Sequence, residues 1–324
     1  MTRFLIRRII LGLITLWVIV TLVFVLYYAG PHDPARQLAG RAATPALLAQ
    51  INREYGFNLP VIVQYWNFLK RLVPIPGQFN LGISNNNHLP VTTIIAQAVP
   101  IDISLAVGAA VMWLILGISV GVLAARRPRS LWDRGATAFV LTGISMPTFI
   151  LGLLLLYVFY YLLTINGIAI FPKPGSWTPF TQNPLEWAHD LLLPWITLSL
   201  ITAATYSRLT RSSLLEILGE DYIRTARAKG LSERRVVYRH ALRSSLTPIV
   251  TQFGIDFATA LGGVIVTESI FGLPGLGLTV VQAIEVQNLP VVIGIVLIAS
   301  FFVVVANIVV DALYAVLDPR VRIS

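Results

Sequence analysis

The stretch Ile101–Ala125, IDISLAVGAAVMWLILGISVGVLAA, decides the fold class. Its single charge, Asp102, stands at the leading end, and the rest is apolar or small. About 20 such residues, rising 1.5 Å each as a helix, match the hydrocarbon layer of a bilayer. Five more runs of this kind follow on either side: Ile9–Ala29, Ala136–Leu163, Leu191–Tyr206, Thr247–Ile270 and Val291–Leu317. Leu191–Tyr206 is the shortest of them. The 324 residues are 56% hydrophobic and 12% charged, about half the charge of a soluble domain, with a mean hydropathy of +0.76. The expectation is an all-α, polytopic transmembrane bundle of six spans.

Arg3, Arg7 and Arg8 before the first run give it the look of a signal peptide. Its apolar length exceeds that of a cleaved segment and no small-x-small site follows, so it reads as a retained first span. With the N-terminus inside, 18 of the 24 basic residues fall on the inner side and six on the outer. That bias is the positive-inside pattern, and it puts both termini in the cytoplasm. The net charge of +9 then serves topology, and no nucleic-acid partner is expected. The absence of cysteine excludes disulfides, a thiolate nucleophile and cysteine-ligated metal.

The long outer segment from Gly30 to about Pro100 reads as a small helical cap. Thr44 is a good N-cap with Pro45 at the first helical position and Gly56 as a stop. Leu47, Leu48, Ile51 and Tyr55 share a face between them. A second helix starts near Pro60, and Val91–Ala98 reads as a third, short one. Pro74-Ile-Pro-Gly77 and Asn85-Asn-Asn87 are breakers. The chain thus divides into residues 1–95, first span plus cap, and residues 96–324, a five-span core. A second outer loop, Asn166–His189, carries four prolines with Trp177 and Trp187. A third contains Ile270–Gly277, too rich in Gly and Pro to stay helical.

Against this apolar background Glu220–Arg235, EDYIRTARAKGLSERR, is a polar island. A helix near residues 216–230, a glycine at 230 suited to a left-handed stop, and a second helix begun by Ser232 make a knob for a soluble partner. Small residues at 226, 228 and 230 let another surface approach closely.

Tyr222-Ile-Arg-Thr-Ala-Arg-Ala-Lys-Gly230 resembles the cytoplasmic Glu-Ala-Ala-x3-Gly signature of ABC importer permeases, in the form used by the peptide branch. Arg224-Thr225-Ala226 take the Glu-Ala-Ala places. The Ile-x-Leu-Pro tail is out of register, Leu246-Thr-Pro248 being its nearest match. Arg7-Arg8, Gly30-Pro-His-Asp-Pro34, Gly143-Ile-Ser-Met-Pro147, Glu268–Gly277 and Asp311–Arg320 resemble the first of the two permeases of dipeptide, oligopeptide and nickel importers. The resemblance implies a type I importer permease in a bacterial inner membrane. It implies a heterodimer with a sibling permease, two cytoplasmic ATP-binding subunits and an extracytoplasmic substrate-binding protein. Tyr222, Arg224, Thr225, Ala226, Ala228, Lys229 and Gly230 would form the ATPase-coupling helix. This chain would be no enzyme and hold no cofactor or metal, with ATP and magnesium bound by its partners.

Asp256 falls near mid-span, where a carboxylate must face a cavity or a partner. It reads either as a pathway group or as a structural hydrogen-bond acceptor. Glu268 at the outer end reads as a gate or as an interfacial residue, and Phe271 joins them as a candidate pathway residue. Asp102 and Asp311, near span ends, read as structural. No Gly-x4-Gly-Lys-Ser/Thr loop is present, so the chain has no such ATP site. An ion-coupled secondary carrier is the rival, but it would want a relay of buried ionisable groups, and Asp256 stands alone at mid-span. An intramembrane hydrolase would want a His-Glu-x-x-His helix or a nucleophile with its base, and the sequence has no such helix, no cysteine and no histidine at mid-span. The peptide substrate is the leading expectation, with nickel chelates or another small solute as alternatives.

Overall fold

The computed structural model describes residues 2–28, 34–39, 43–75, 79–262 and 264–317. The His32-Asp33 turn, Gly263 and the Asp318–Arg320 end of the terminal motif lie outside the described residues. The regular secondary structure of the described residues is helical, apart from one isolated antiparallel bridge between Ile83 and Pro90, and the helices are joined by turns and loops.

Two long helices make the centre: α5, Val91–Arg126, and α9, Pro184–Leu218. Val91–Ala98 is the first part of α5, which continues through Pro100 and across the 95/96 boundary without a break. Glycines let α5 and α9 touch. The Trp195 indole fills the space a side chain on Gly108 would need, and Tyr206 does the same at Gly117. At Gly121 a Cβ would stand 2.6 Å from Thr210 Cβ. Small residues permitting close backbones are the usual means of packing helices without a hydrophobic drive between them. Trp195 adds a hydrogen bond from Nε1 to the Ser104 carbonyl, at 2.9 Å. Trp113 and Trp195 both sit in the packed core.

Among the described residues four helices are long and apolar enough to cross a membrane: Leu5–Leu26, Val91–Arg126, Thr148–Ile165 and Leu289–Ala312. Glu233–Leu261 and Ile265–Phe271, bent by 51° at the intervening break, make a fifth if taken as one span. The expected run Leu191–Tyr206 lies inside α9, which is long enough but not apolar enough to count. The reason is its position. Thr197, Ser199, Ser207 and Thr210 of α9 are buried, and Thr197 returns its hydroxyl to the Leu193 carbonyl. A helix screened by its neighbours has no lipid to satisfy.

The third and fifth runs are not single helices. Pro147 disfavours helical geometry at Met146 before it, so α6, Leu131–Ser145, stops there and α7 begins at Thr148. α7, Thr148–Leu155, continues through a π-helical turn over Leu156–Leu162 into α8, Leu163–Ile165. α12, Leu242–Leu261, ends at Gly262, and α13, Ile265–Phe271, restarts the chain before a turn capped by Gly272 at φ 65°. The expected non-helical turn is there, but it is shorter than Ile270–Gly277. α14, Leu276–Glu285, begins within that stretch.

α1, Thr2–Tyr28, packs against α15, Leu289–Leu317, where Ile308 and Val304 crowd Gly12. Arg8 pairs with Asp311 at 3.1 Å, so the start of α1 and the late part of α15 share one end of the bundle. The other end carries α2, Pro34–Ala39; α3, Pro45–Tyr55; and α4, Val61–Leu72. α3 is bounded as its residues predict, with Thr44 Oγ1 accepting from the Leu47 amide and Gly56 left-handed at φ 70°. α4 rests on α1 through Phe24, whose ring meets those of Tyr65 and Phe68. Asn288 ties the following loop down, its Nδ2 donating to Ser84 Oγ and its Oδ1 accepting from the Asn85 amide.

Candidate functional site

The polar island forms α10, Asp221–Ala228, and it is set off from α9 rather than continuing it. α9 stops at Leu218 and the chain turns at Gly219-Glu220. The helix expected near residues 216–230 is therefore two pieces, the free one being short. Its sequence is amphipathic at helical spacing. Ile223 and Ala226, three apart, are buried, while Tyr222, Arg224, Thr225, Ala228, Lys229 and Gly230 are exposed. Of the seven residues expected to face a partner, Ala226 instead faces its own bundle. The i, i+3 rule that pairs it with Ile223 explains why.

The buried face rests on Val122 and Ala125 of α5, Leu214 of α9, and Val236, Val237 and Ala241. The last three belong to a π-helical turn, Val236–Ala241, between α11, Glu233–Arg235, and α12. So α10 stands on the ends of three long helices. Arg227 ties it sideways, with Nε 2.7 Å from Glu233 Oε1 and Nη1 3.3 Å from the Leu218 carbonyl. Arg224 reaches Asp221 at 3.3 Å in a fully solvated setting, a contact worth little by itself.

The exit from α10 is a Schellman cap. The Leu231 amide donates to the Ala226 carbonyl and the Gly230 amide to the Arg227 carbonyl, with Gly230 at φ 77°. A Cβ on Gly230 would have no heavy atom within 4 Å. Within this chain the glycine is needed for its backbone angle alone, and the space in front of it is open.

A second tie stiffens the same end. Asp133, near the start of α6, accepts from Arg211 Nε at 2.6 Å, from Arg211 Nη2 at 3.0 Å and from the Arg129 amide at 2.8 Å. The Arg211 hydrogen bond first, and the Arg129 amide second, hold the Asp133 carboxyl below the usual carboxylate range. Arg126 lies over the Tyr238 ring nearby, 5.7 Å from its centroid.

The candidate pathway residues are placed differently. Asp256 accepts from Tyr206 Oη at 2.9 Å and from Gln252 Nε2 at 3.0 Å, so both oxygens are engaged and the structural alternative is the one its geometry favours. Glu268 is wholly buried, with Oε1 accepting from the Val264 amide at 2.9 Å and Oε2 from the Leu278 amide at 2.7 Å. Its carboxylate is enclosed by the protein. Phe271 packs in the main core. Phe271 also lines a small pocket with Tyr160, Pro174 and Asp190, while Glu268 is closed off by the amides it holds. Asp102, read from the sequence as structural, is so: its Oδ2 accepts from the Leu276 amide at 2.7 Å, and what the sequence does not reveal is its neighbourhood with Glu268. A Cβ on Gly275 would lie within 3.0 Å of both the Glu268 and Asp102 carboxylates. The signal was a lone acid in an otherwise apolar run, but a partner 166 positions later cannot be paired with it from one sequence.

A bundle of long apolar helices around a polar, glycine-packed centre, with a short helix standing out at one end, is the build of a membrane-embedded transport subunit. The chain belongs to the family described as the binding-protein-dependent transport system inner membrane component. That family matches residues 117–323, and the N-terminal component of the same systems matches residues 1–106. A Brucella abortus (strain 2308) protein named as a peptide transport system permease is 39% identical over 99% of both chains. The glutathione transport system permease protein GsiC of Escherichia coli (strain K12) is 37% identical, again over 99% of each. The inward-facing MetNI methionine ABC transporter shares the fold, with a TM-score of 0.53 at 19% identity over 70% of this chain and 97% of that one.

Proposed function

We propose that this chain is a pore-forming permease subunit of an ATP-driven importer that carries short peptides across a bacterial inner membrane. The substrate class rests on relatives of full-length similarity that are named for peptide and glutathione transport. The observation that carries the mechanism is α10, whose outward face is free while its inward face is fixed to the ends of α5, α9 and α12. A load applied to Tyr222, Arg224, Thr225, Ala228, Lys229 or Gly230 is passed to those helices instead of being lost in a loose loop.

In this reading the α10 end is cytoplasmic, as the distribution of basic residues favours, and both termini lie there with it. Two ATP-binding subunits bind ATP and magnesium and do the hydrolysis; the chain itself holds no cofactor and is no enzyme. One of them receives α10, with Ala228 and Gly230 allowing close approach. Their closure tilts the bundle between outward-open and inward-open states. A sibling permease completes the pore. An extracytoplasmic binding protein delivers the peptide to the cap in residues 1–95 and to the loops at that end. Residues 96–324 form the moving core, and the two parts join within α5.

Gentle purification from the native membrane, with every co-purifying chain identified and counted by mass spectrometry, tests the assembly. One sibling permease and two ATP-binding chains per copy are expected. A folded chain that comes out alone or as a homodimer would contradict it and favour an ion-coupled carrier.

A further inference from the structure

α4, Val61–Leu72, has no buried residue, although it is rich in large apolar side chains. Tyr65 and Phe68 turn toward α1. On another face Ile62 is 77% exposed and Trp66 58% exposed, one turn apart, and Lys70 follows at the next turn with its Nζ 5.5 Å from the Trp66 ring. Val61, Val73 and Ile75 are exposed beside them. A soluble surface rarely leaves so much apolar side chain in water.

The height of this helix is fixed. Tyr65 Oη lies 2.7 Å from Thr21 Oγ1, and the Phe24 ring centroid is 5.1 Å from that of Tyr65 and 5.6 Å from that of Phe68. Thr21 and Phe24 lie in the last two turns of the apolar window Leu5–Leu26, about 7.5 and 3 Å from its end at 1.5 Å per residue. Trp66, the neighbour of Tyr65 along the chain, is therefore held at the edge of the hydrocarbon layer. Leu22 and Leu26 of α1, at the same height, are exposed apolar residues of a span and continue the surface.

We infer that α4 is an interfacial helix that lies in the outer leaflet boundary, with Ile62 and Trp66 among the upper acyl chains and Lys70 and Arg71 at the lipid phosphates. Three features carry this: the fixed height, the continuity with the lipid face of α1, and the charge of the last turn. Tryptophan is favoured at that depth, and amphipathic helices bind there through an apolar face backed by bases. The membrane then becomes a support for the whole cap, holding it at a set height above the bundle. This inference needs only a membrane-embedded chain and stands whether or not the substrate is a peptide.

The chain has no cysteine, so single labels at Ile62→Cys, Trp66→Cys and the exposed turn position Asn86→Cys can be placed without removing others. The full complex would be reconstituted in vesicles of phosphatidylethanolamine and phosphatidylglycerol. Spin-label collision rates with oxygen and with an aqueous nickel chelate would then be compared. The oxygen-to-nickel ratio at 62 and 66 should exceed that at 86 several-fold. Ratios equal at all three sites would overturn the inference. So would a ratio at 62 and 66 that rises only on adding the extracytoplasmic binding protein, since that would make the face a protein-docking surface. Two labelled sites guard against one substitution disturbing the Trp66–Lys70 contact.

Discussion

Tyr222–Gly230 and Glu268–Gly277 are both short, rich in small residues and placed at opposite ends of the bundle, yet they use their polar groups in opposite ways. In the first, an apolar pair, Ile223 and Ala226, points inward and the charges point out. In the second, the carboxylate of Glu268 points inward and its oxygens hold the backbone amides of Val264 and Leu278. Asp102 does the same for Leu276. The first segment is a helix offered to a partner. The second is a broken helix whose freed amides are satisfied by carboxylates inside the protein, as a buried break in a helix requires. Small residues serve both: at Gly230 the left-handed angle, and at Gly275 and Gly277 the room for a carboxylate to come close.

The largest effect on folding is expected at the buried end. Glu268→Ala strips the partners from two enclosed amides, each worth about 1–3 kcal/mol when left unpaired. Thermal unfolding of the purified complex should show marked destabilisation with a low yield of folded protein. A Glu268→Ala protein as stable as the parent would mean that the carboxylate is not what holds the 264–278 turn.

At the other end, Ile223→Ala leaves a hole under α10 and should cost about 2–5 kcal/mol. Its distinguishing outcome is local: amide exchange in residues 221–231 should rise more than in α5 or α9. Uniform exchange across the bundle would show that α10 is not mounted on Ile223.

Both segments were visible in the sequence, but to unequal depth. The spacing of Ile223 and Ala226 within charges and the glycine at 230 are local signals, so the knob and its stop could be read directly. Even there the small size of Ala226 suggests a contact face, whereas the helical phase it shares with Ile223 turns it inward. The Asp102–Glu268 arrangement depends on two acids 166 positions apart, and no periodicity joins them. The same distinction runs through the spans. Exposed helices such as α1 and α15 announce themselves by apolarity, while α9 is central and its hydroxyls are hidden by other helices. The breaks at Met146-Pro147 and after Gly262 were submerged in continuous apolar runs.

A smaller effect is expected from Arg211→Ala. Arg211 is partly exposed, so solvent screening limits the loss to the order of 1 kcal/mol. The sign with pH follows from the lowered Asp133 carboxyl. Its contribution is full above the ordinary carboxylate value of 3.8 and fades as pH falls through the lower folded value. In Arg211→Ala much of that acid-range dependence should disappear from unfolding curves taken between neutral pH and about pH 3. An unchanged pH dependence would show that the pair does not link α6 to α9.

The smallest change in stability is expected for Gly230→Asn, because the Cβ meets open space and the left-handed angle that costs other side chains about 1–2 kcal/mol is one Asn adopts. The variant should therefore keep the fold. If a partner surface sits against this glycine, uptake should still fall relative to ATP hydrolysis. Normal coupling in Gly230→Asn would leave Gly230 a cap and nothing more.

The most direct test of α10 as the receiver of ATPase motion is contact. In an otherwise cysteine-free complex, Ala228→Cys carrying a short photoactivatable cross-linker should join this chain to an ATP-binding subunit, while the same probe at Asn86→Cys on the far end should not. A probe at 228 that stays accessible to aqueous thiol reagents in the assembled complex, and never cross-links to an ATP-binding chain, would contradict the account.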